Sequence, residues 1–446
     1  LFMLTVLARR TRLSLAAIGF TTAAVLAGAS PSQAITIEPV TSPGGIEAWL
    51  VSDDTVPVVV MNFAFEGAGA SQDPADKPGV ANLLSALLDE GAGPYDSEAY
   101  QTELQDKSVR LSFSADRDAF YGNLQMLADN PQEGVELLKV ALAEPHLADE
   151  AIGRMSNQII SGIRRDQRDP MEVAAEIWSR KAFPDHPYGR PLEGTEESVA
   201  AITRADLQAF KDAALARDNL HVVVVGAIDA ETLKPLLDET FGGLPATASL
   251  TPVADVMPKT GETATETMDV PQAAIRFGGP GIARDDPDFI PGFVMNYILG
   301  GGSFSSRLFT EIREKRGLAY SVYSYLVPLD HSAVFGGGTA TRADRVDETV
   351  GLIKSEIARM ADGGPTQAEL DDAKAYLTGA YPLRFDSSSS IAAQLLQIQL
   401  EELGIDYVDK RNALIEAVSL DDVKRVAARI LGNGEPTFVT VGPSGT

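Results

Sequence analysis

The stretch Leu299–Leu326, LGGGSFSSRLFTEIREKRGLAYSVYSYL, decides how the rest of the chain is read, because it is the most densely patterned segment of the sequence. Gly300, Gly301 and Gly302 break any helix that precedes them, and Ser303, Ser305 and Ser306 offer side-chain oxygens to cap a new one. A helix is expected from there. Phe304, Leu308 and Ile312 recur as one apolar stripe with Phe309 beside it, while Arg307, Glu311 and Glu314 face elsewhere. Gly317, after Arg313, Lys315 and Arg316, is the expected left-handed stop. Tyr320 to Tyr325 is aromatic and β-branched, so the chain should leave the helix as a strand. The turn between them is short enough to hold the Arg313 guanidinium beside the Tyr320 phenol. Spacing leaves two readings of that pair open: a helix-end Arg favoured by the macrodipole next to a Tyr that packs, or a cation and an O–H donor aimed at one place.

The run SSRLFTEIREKRGLAYSVYS resembles the C-terminal-domain signature of the pitrilysin/insulinase family of zinc peptidases, in its mitochondrial-processing-peptidase-like branch. The resemblance implies that an Arg and a Tyr, seven positions apart as Arg313 and Tyr320 are, reach into a zinc site and steady the scissile carbonyl. That chemistry is sound on its own terms, since a tetrahedral intermediate develops negative charge on an oxygen that an O–H donor and a fixed cation stabilise.

At 446 residues the chain is too long for one ordinary core and fits two or three domains. A net charge of −26, from 63 acidic and 37 basic residues, argues against nucleic acid or an anionic membrane surface as a partner. There is no cysteine, which excludes disulfides, thiolate metal sites and cysteine nucleophiles. Arg9, Arg10 and Arg12 precede an apolar stretch, Leu13 to Ala27, then small residues and Ser32-Gln33-Ala34. Residues 1–34 therefore read as a secretory signal peptide that sends the mature chain to the periplasm, by a general or a twin-arginine route. The apolar part is too short, and too rich in Ala, Gly and Thr, to read as a membrane span.

From Ile35 to Gly69 the pattern is that of two or three strands, ITIEPV, IEAWLVSD and VPVVVMNFAFEGAG. Gly79 to Asp89 reads as an amphipathic helix, with Val80, Leu83, Leu84, Leu87 and Leu88 on one face and Asn82, Ser85, Ala86 and Asp89 on the other. SVRLSFSADRDAFYGNLQML alternates as a hairpin; helices follow over Gln132 to Leu142, Asp149 to Asp166, Pro170 to Arg180 and Thr203 to Ala216, then a strand from Leu220 to Val225. The order recurs. DLQAFKDAALARDNLHVVVVG (206–226) resembles DDVKRVAARILGNGEPTFVTVG (421–442), and Lys77-Pro78-Gly79 has Ile290-Pro291-Gly292 as its counterpart, an offset of roughly 215 residues that reads as a duplicated unit. The expected fold class is α+β: two homologous sandwich domains, 35–245 and 267–446, each a mostly antiparallel sheet covered by helices, joined by a linker over 246–266. The family resemblance adds that such a chain is half of a clam-shell peptidase.

In the family the first long helix carries His-x-x-Glu-His, two zinc ligands and the base, followed later by a Glu as third ligand. Here the matching positions carry Asn82, Ser85 (the base position), Ala86 and, for the third ligand, Gly162. The four histidines, His146, His186, His221 and His331, show no helical ligand spacing, and each reads as a surface or hydrogen-bonded residue. Asp89 and Glu90 are adjacent and point apart; no Gly-x-Ser-x-Gly elbow occurs, and Ser387 to Ser390 reads as a capping or flexible run. The glycine clusters 300–302 and 336–338 lack phosphate-loop context and read as loops and close backbone approaches.

These observations lead to one expectation and an alternative. The expectation is a non-catalytic subunit of a heterodimeric zinc metallopeptidase. The chain itself would be inactive and hold no cofactor, zinc would sit in a homologous partner subunit, and Arg313 and Tyr320 would act on peptide substrates in the partner's site. The alternative is a non-enzymatic peptide-binding or structural scaffold with the peptidase fold.

Overall fold

The computed structural model describes residues 35–444, and the expected signal segment, residues 1–34, lies outside them. Runs of Val, Phe and Leu at alternating positions set the strands. In the first half these are β1 (Glu38–Thr41), β2 (Glu47–Ser52), β3 (Val58–Glu66), β4 (Arg110–Ala115), β5 (Ala119–Leu127) and β6 (Leu220–Gly226). They form one sheet in the order β1-β2-β6-β3-β5-β4, antiparallel except where β2 runs parallel to β6. The second half supplies β7 (Thr263–Thr267), β8 (Ala273–Pro280), β9 (Ala319–Leu329), β10 (Ser332–Thr341) and β11 (Thr437–Gly442). Their order is β7-β11-β8-β10-β9, with the β7–β11 pair parallel. Each strand of the second sheet thus has a counterpart in the first, and β1 is an extra edge. β6 and β11, the two strands whose sequences resemble each other, hold the same place, between a parallel neighbour and an antiparallel one. The fold is α+β, two sheets covered by helices.

Alternation along the central strands buries both faces of each sheet. On one face of the first, Val59, Met61, Phe63 and Phe65 join Val222 and Val224 in a core with Val80, Leu83, Leu84, Leu87 and Leu88. Val60, Ala64, Val223 and Val225 alternate with these and are also fully buried. The helix that covers β3 and β6 comes from the other half of the chain: it is Ser388–Leu400. The exchange is mutual. Pro170–Ala182, a first-half helix, packs on β8 and β11, where Ala174 and Trp178 meet Ala274, Val439 and Val441. Gly278 lies under the Trp178 ring, and a Cβ there would sit 2.6 Å from Cζ2.

Polar contacts fasten the same boundary. The Tyr188 hydroxyl donates to Asp118 and accepts from the His331 amide at 3.1 Å, and the Asp330 amide donates to Asp118 Oδ2 at 3.2 Å. The connecting segment is pinned on both sides: Ser249 N donates to Ala213 O, Val256 N to His331 O, and Lys259 N to Ala182 O. A strand begins inside the range expected to be linker, because β7, from Thr263, adds to the edge of β11.

Two further differences from the sequence reading have physical causes. The helix expected over Gly79 to Asp89 is α-helical only over Val80–Ser85 and continues as turns, and Ser85 is buried instead of facing water. Gly336–Gly338 lie in strand β10 and not in a loop. The close approach expected of them is real, since a Cβ at Gly337 would be 2.2 Å from the Phe277 ring. Among the described residues no helix is long and apolar enough to cross a membrane.

Candidate functional site

The patterned segment folds as a sequence of short turns instead of one helix. A π-helical turn, Tyr297–Gly301, leads to a 3-10 turn, Ser303–Ser305, a short α-helical piece, Arg307–Phe309, and a second π-helical turn, Thr310–Glu314. Of the candidate caps, Ser306 acts: its side chain accepts from the Phe309 amide at 3.4 Å. Leu308, Phe309 and Ile312 are buried as the stripe requires, but Phe304 is 70% exposed. The stripe fails there because the chain is no longer α-helical at 304, so the four-residue repeat does not carry back to it. Gly317 has φ +62° and ends the segment. Its amide donates to Arg313 O and the Leu318 amide to Ile312 O, each one residue wider than the usual left-handed closure, as a π turn demands.

Gly300 is fixed by packing. A Cβ on it would fall 2.4 Å from Ser324 Oγ and 2.7 Å from Ser324 N, and that serine donates at 2.7 Å to the buried Asn296 Oδ1. Gly300→Ala is therefore expected to lower stability by about 1–3 kcal/mol, read from urea denaturation, because β9 backbone has to move to admit one methyl group.

The result of these turns is a cation on an aromatic platform. The Arg313 guanidinium carbon lies 4.7 Å from the Phe309 ring centre, 5.1 Å from Tyr320 and 5.6 Å from Phe304. Phe304 and Phe309 meet edge to face at 4.9 Å. Each such contact holds the guanidinium by about 0.5–1 kcal/mol at an exposed site. Among the described residues neither the Arg313 guanidinium nor the Tyr320 hydroxyl has a hydrogen-bond or ion-pair partner, and Tyr320 is 85% exposed. The half-buried Arg313 and the exposed Tyr320 are thus together, with their donors unspent.

Arg307 supports this segment from below. Its Nε and Nη2 grip Glu369 Oε1 and Oε2 at 2.6 and 2.8 Å, and Nη2 also donates to Gly364 O. Glu369 also closes a capping box with Thr366, accepting from its amide and hydroxyl. The Arg307 guanidinium holds the Glu369 carboxyl down to about 2. A depressed carboxyl contributes stability above its unfolded value, lost as pH falls through the folded one. Arg307→Met is expected to cost about 1–2 kcal/mol at pH 7, less than the full shift implies because the glutamate is partly in water. The two proteins should converge in denaturant melts as pH falls toward 2.

The other half of the expected chemistry has a different character. Asp73 sets the helix at Val80 by accepting from the amides of Gly79 (2.7 Å) and Ala81 (2.8 Å). Gly79, at φ +101°, leaves no room for a Cβ, which would lie 2.6 Å from Glu193 O. On that helix Asn82 is half-buried, and Ser85 turns its hydroxyl back to Asn82 O at 2.8 Å. Ala86 brings a methyl group and Gly162, on the helix Asp149–Asp166, brings no side chain. These residues do not fit zinc: an amide, a hydroxyl bonded to its own helix, a methyl and a hydrogen are not the imidazoles and carboxylate the ion takes. Among the described residues no three His, Cys, Asp or Glu side chains converge as metal ligands. The histidines have local partners: His146 Nε2 with Gly93 O, His186 Nε2 with Ala254 O, His221 Nε2 with Glu66 and His331 Nδ1 with Asp255.

Comparison with known proteins matches both halves of the chain to one family. Residues 57–196 match the family described as Insulinase (Peptidase family M16), and residues 201–377 match Peptidase M16 inactive domain. The non-peptidase homolog YmxG of Helicobacter pylori is 29% identical over 75% of this chain and 77% of its own length. An uncharacterized zinc protease of Mycobacterium bovis is 27% identical over 94% of this chain and 96% of its own. Among solved structures, the peptidase M16 inactive domain from Pseudomonas fluorescens superposes with a TM-score of 0.86 at 28% identity, covering 92% of this chain and 99% of that one. A protease from Helicobacter pylori, at 20% identity and a TM-score of 0.80 over 92% of this chain and all of that one, shares the fold. The duplicated sheet and the matches along both halves point the same way, and the chain, whose sequence holds no His-x-x-Glu-His, belongs to the insulinase family, peptidase family M16.

Proposed function

We propose that this chain is the non-catalytic subunit of a heterodimeric zinc metallopeptidase. A homologous partner subunit carries His-x-x-Glu-His and the zinc; this chain closes the chamber around a peptide and lends Arg313 and Tyr320 to the partner's site. The observation that carries the reading is the contrast between the halves: in the second, two neighbouring donors without partners among the described residues, and in the first, four positions without an imidazole or a carboxylate. Attack on a peptide carbonyl moves negative charge onto its oxygen. The Tyr320 O–H can donate to that oxygen, and Arg313, kept in place by three rings, adds a positive charge that need not reorganise. The reading also places the mature chain in the periplasm.

The test is reconstitution. The chain purified alone is expected to be zinc-free and inactive, and peptide cleavage should appear when a zinc-binding homologue from the same cells is added. Cleavage by this chain alone, or none gained from any such homologue, counts against the proposal. The second reading, a non-enzymatic scaffold that binds peptides, is favoured by the name of the Helicobacter pylori relative, a non-peptidase homolog. It predicts peptide binding by the isolated chain with no partner-dependent cleavage.

A further inference from the structure

A cavity of about 560 Å³ opens in the second half, away from the degenerate metal-site helix. It lies among the helices Phe289–Asn296, Gln367–Gly379, Ser388–Leu400 and Tyr407–Ala417, with β9 as one wall. That volume suits a small organic molecule or a few residues of peptide. Its charge is opposite to that of the protein. In a chain of net charge −26, three arginines line it, Arg284, Arg384 and Arg411, against a single carboxylate, Glu401. That carboxylate is already taken by the Arg284 guanidinium.

Arg411 is the informative residue. It is 7% exposed, yet among the described residues no carboxylate pairs with it. Both of its hydrogen bonds leave from Nη1, to Leu377 O at 3.1 Å and Asn412 Oδ1 at 3.2 Å. Nε and Nη2 donate to nothing, and neither is sealed away from the cavity. The Nε/Nη2 edge is the one Arg307 uses to grip Glu369 with two bonds, so its geometry for a carboxylate is shown within the same molecule. The plane of the guanidinium is fixed by the Tyr381 ring at 4.1 Å, with Phe293 at 5.8 Å. A buried arginine held in plane by an aromatic ring, with its forked edge free, is a preorganised half of a bidentate pair. The surrounding aromatic rings offer an apolar surface to whatever carries the other half.

We propose that this cavity binds a carboxylate borne on an apolar or aromatic body, anchored by the Nε/Nη2 edge of Arg411 and drawn in by the exposed Arg384. A free carboxylic acid and the C-terminus of a peptide share this chemistry. The inference does not depend on the role given to Arg313 and Tyr320.

Calorimetric titration of the folded chain with N-acetyl-phenylalanine and with its amide, which has the same body without the charge, tests it. The acid is expected to bind at least about tenfold more tightly than the amide. Arg384→Gln, a surface change, should weaken the acid a few-fold and leave the amide unchanged, and Arg411→Lys should abolish the preference for the acid. A blocked tripeptide ending in a free phenylalanine carboxylate identifies peptide termini as the source if it binds like the single acid, and small acids if it does not. The proposal is overturned if acid and amide bind the unaltered protein equally or not at all at millimolar concentration. It is equally overturned if Arg384→Gln weakens both alike. The comparison on the unaltered protein and the Arg384 variant stand even if Arg411→Lys fails to fold.

Discussion

Arg313→Ala in the reconstituted peptidase is expected to lower kcat by about a hundredfold, or ~2.7 kcal/mol of transition-state stabilisation, with KM nearly unchanged. The size follows from what the guanidinium does in the proposed complex: it meets charge that exists only after water has attacked, so its loss is felt in turnover and not in binding. The fold should not be disturbed. Arg313 makes no hydrogen bond or ion pair among the described residues, and its contacts are three aromatic rings, two of them exposed. A variant whose denaturation midpoint matches the parent while turnover collapses is the signature of a lent residue. Tyr320→Phe keeps the ring beside Arg313 and removes only the O–H, so it should give a loss of similar order. Unchanged steady-state turnover in both variants would falsify the division of labour.

The largest stability effect is expected at the boundary between the halves. Trp178→Ala should cost about 3–5 kcal/mol, measured by urea unfolding, because it empties the space between the helix Pro170–Ala182 and the second sheet. The ring is 5% exposed and rests on Gly278, where no side chain can move in to fill the gap without the sheet shifting. Trp178→Phe should be markedly milder. The indole N–H is buried with no acceptor among the described residues, so removing it relieves an unpaid desolvation while the smaller ring keeps part of the packing. If Trp178→Ala shifts stability by less than ~1 kcal/mol, the crossed helix is not what holds the second sheet.

Much of the architecture is legible in the sequence, for reasons particular residues make clear. The strands of the first half and the helix Asp149–Asp166 stand where the strand and helical patterns place them, because the central strand β3 is apolar on both faces, β5 buries alternate residues and the helix has one apolar face to hide. The duplication is readable since the helix–strand pair ending at Gly226 and the one ending at Gly442 kept a common pattern. What the pattern cannot say is where an apolar face goes. Ala174 and Trp178 mark a buried stripe, but nothing in their spacing directs it to Val439 and Val441, more than 250 residues away. The π turns were also invisible, because five residues are too few to tell one helical period from another. Gly336–Gly338 were misread for a related reason. A strand is recognised by its side chains, and here Tyr325 and Phe277 occupy the space that side chains at Gly336 and Gly337 would fill.

At the candidate site, Arg313 and Tyr320 were singled out through motif spacing and family resemblance, and the fold brings the two together. Arg411 was not singled out. It stands in the helix Tyr407–Ala417, whose residues show little separation of apolar and polar faces, and only the folded chain reveals that its guanidinium is buried.

The exchange of helices between the halves bears on how the chain comes to be folded. When the first sheet has been synthesised, the surface formed by Val60, Ala64, Val223 and Val225 still lacks its cover, since residues 388–400 are made more than 160 positions later. Neither half can seal itself while the other is missing, so completion is a single late event and a fragment ending at the linker would be born with a sticky valine face.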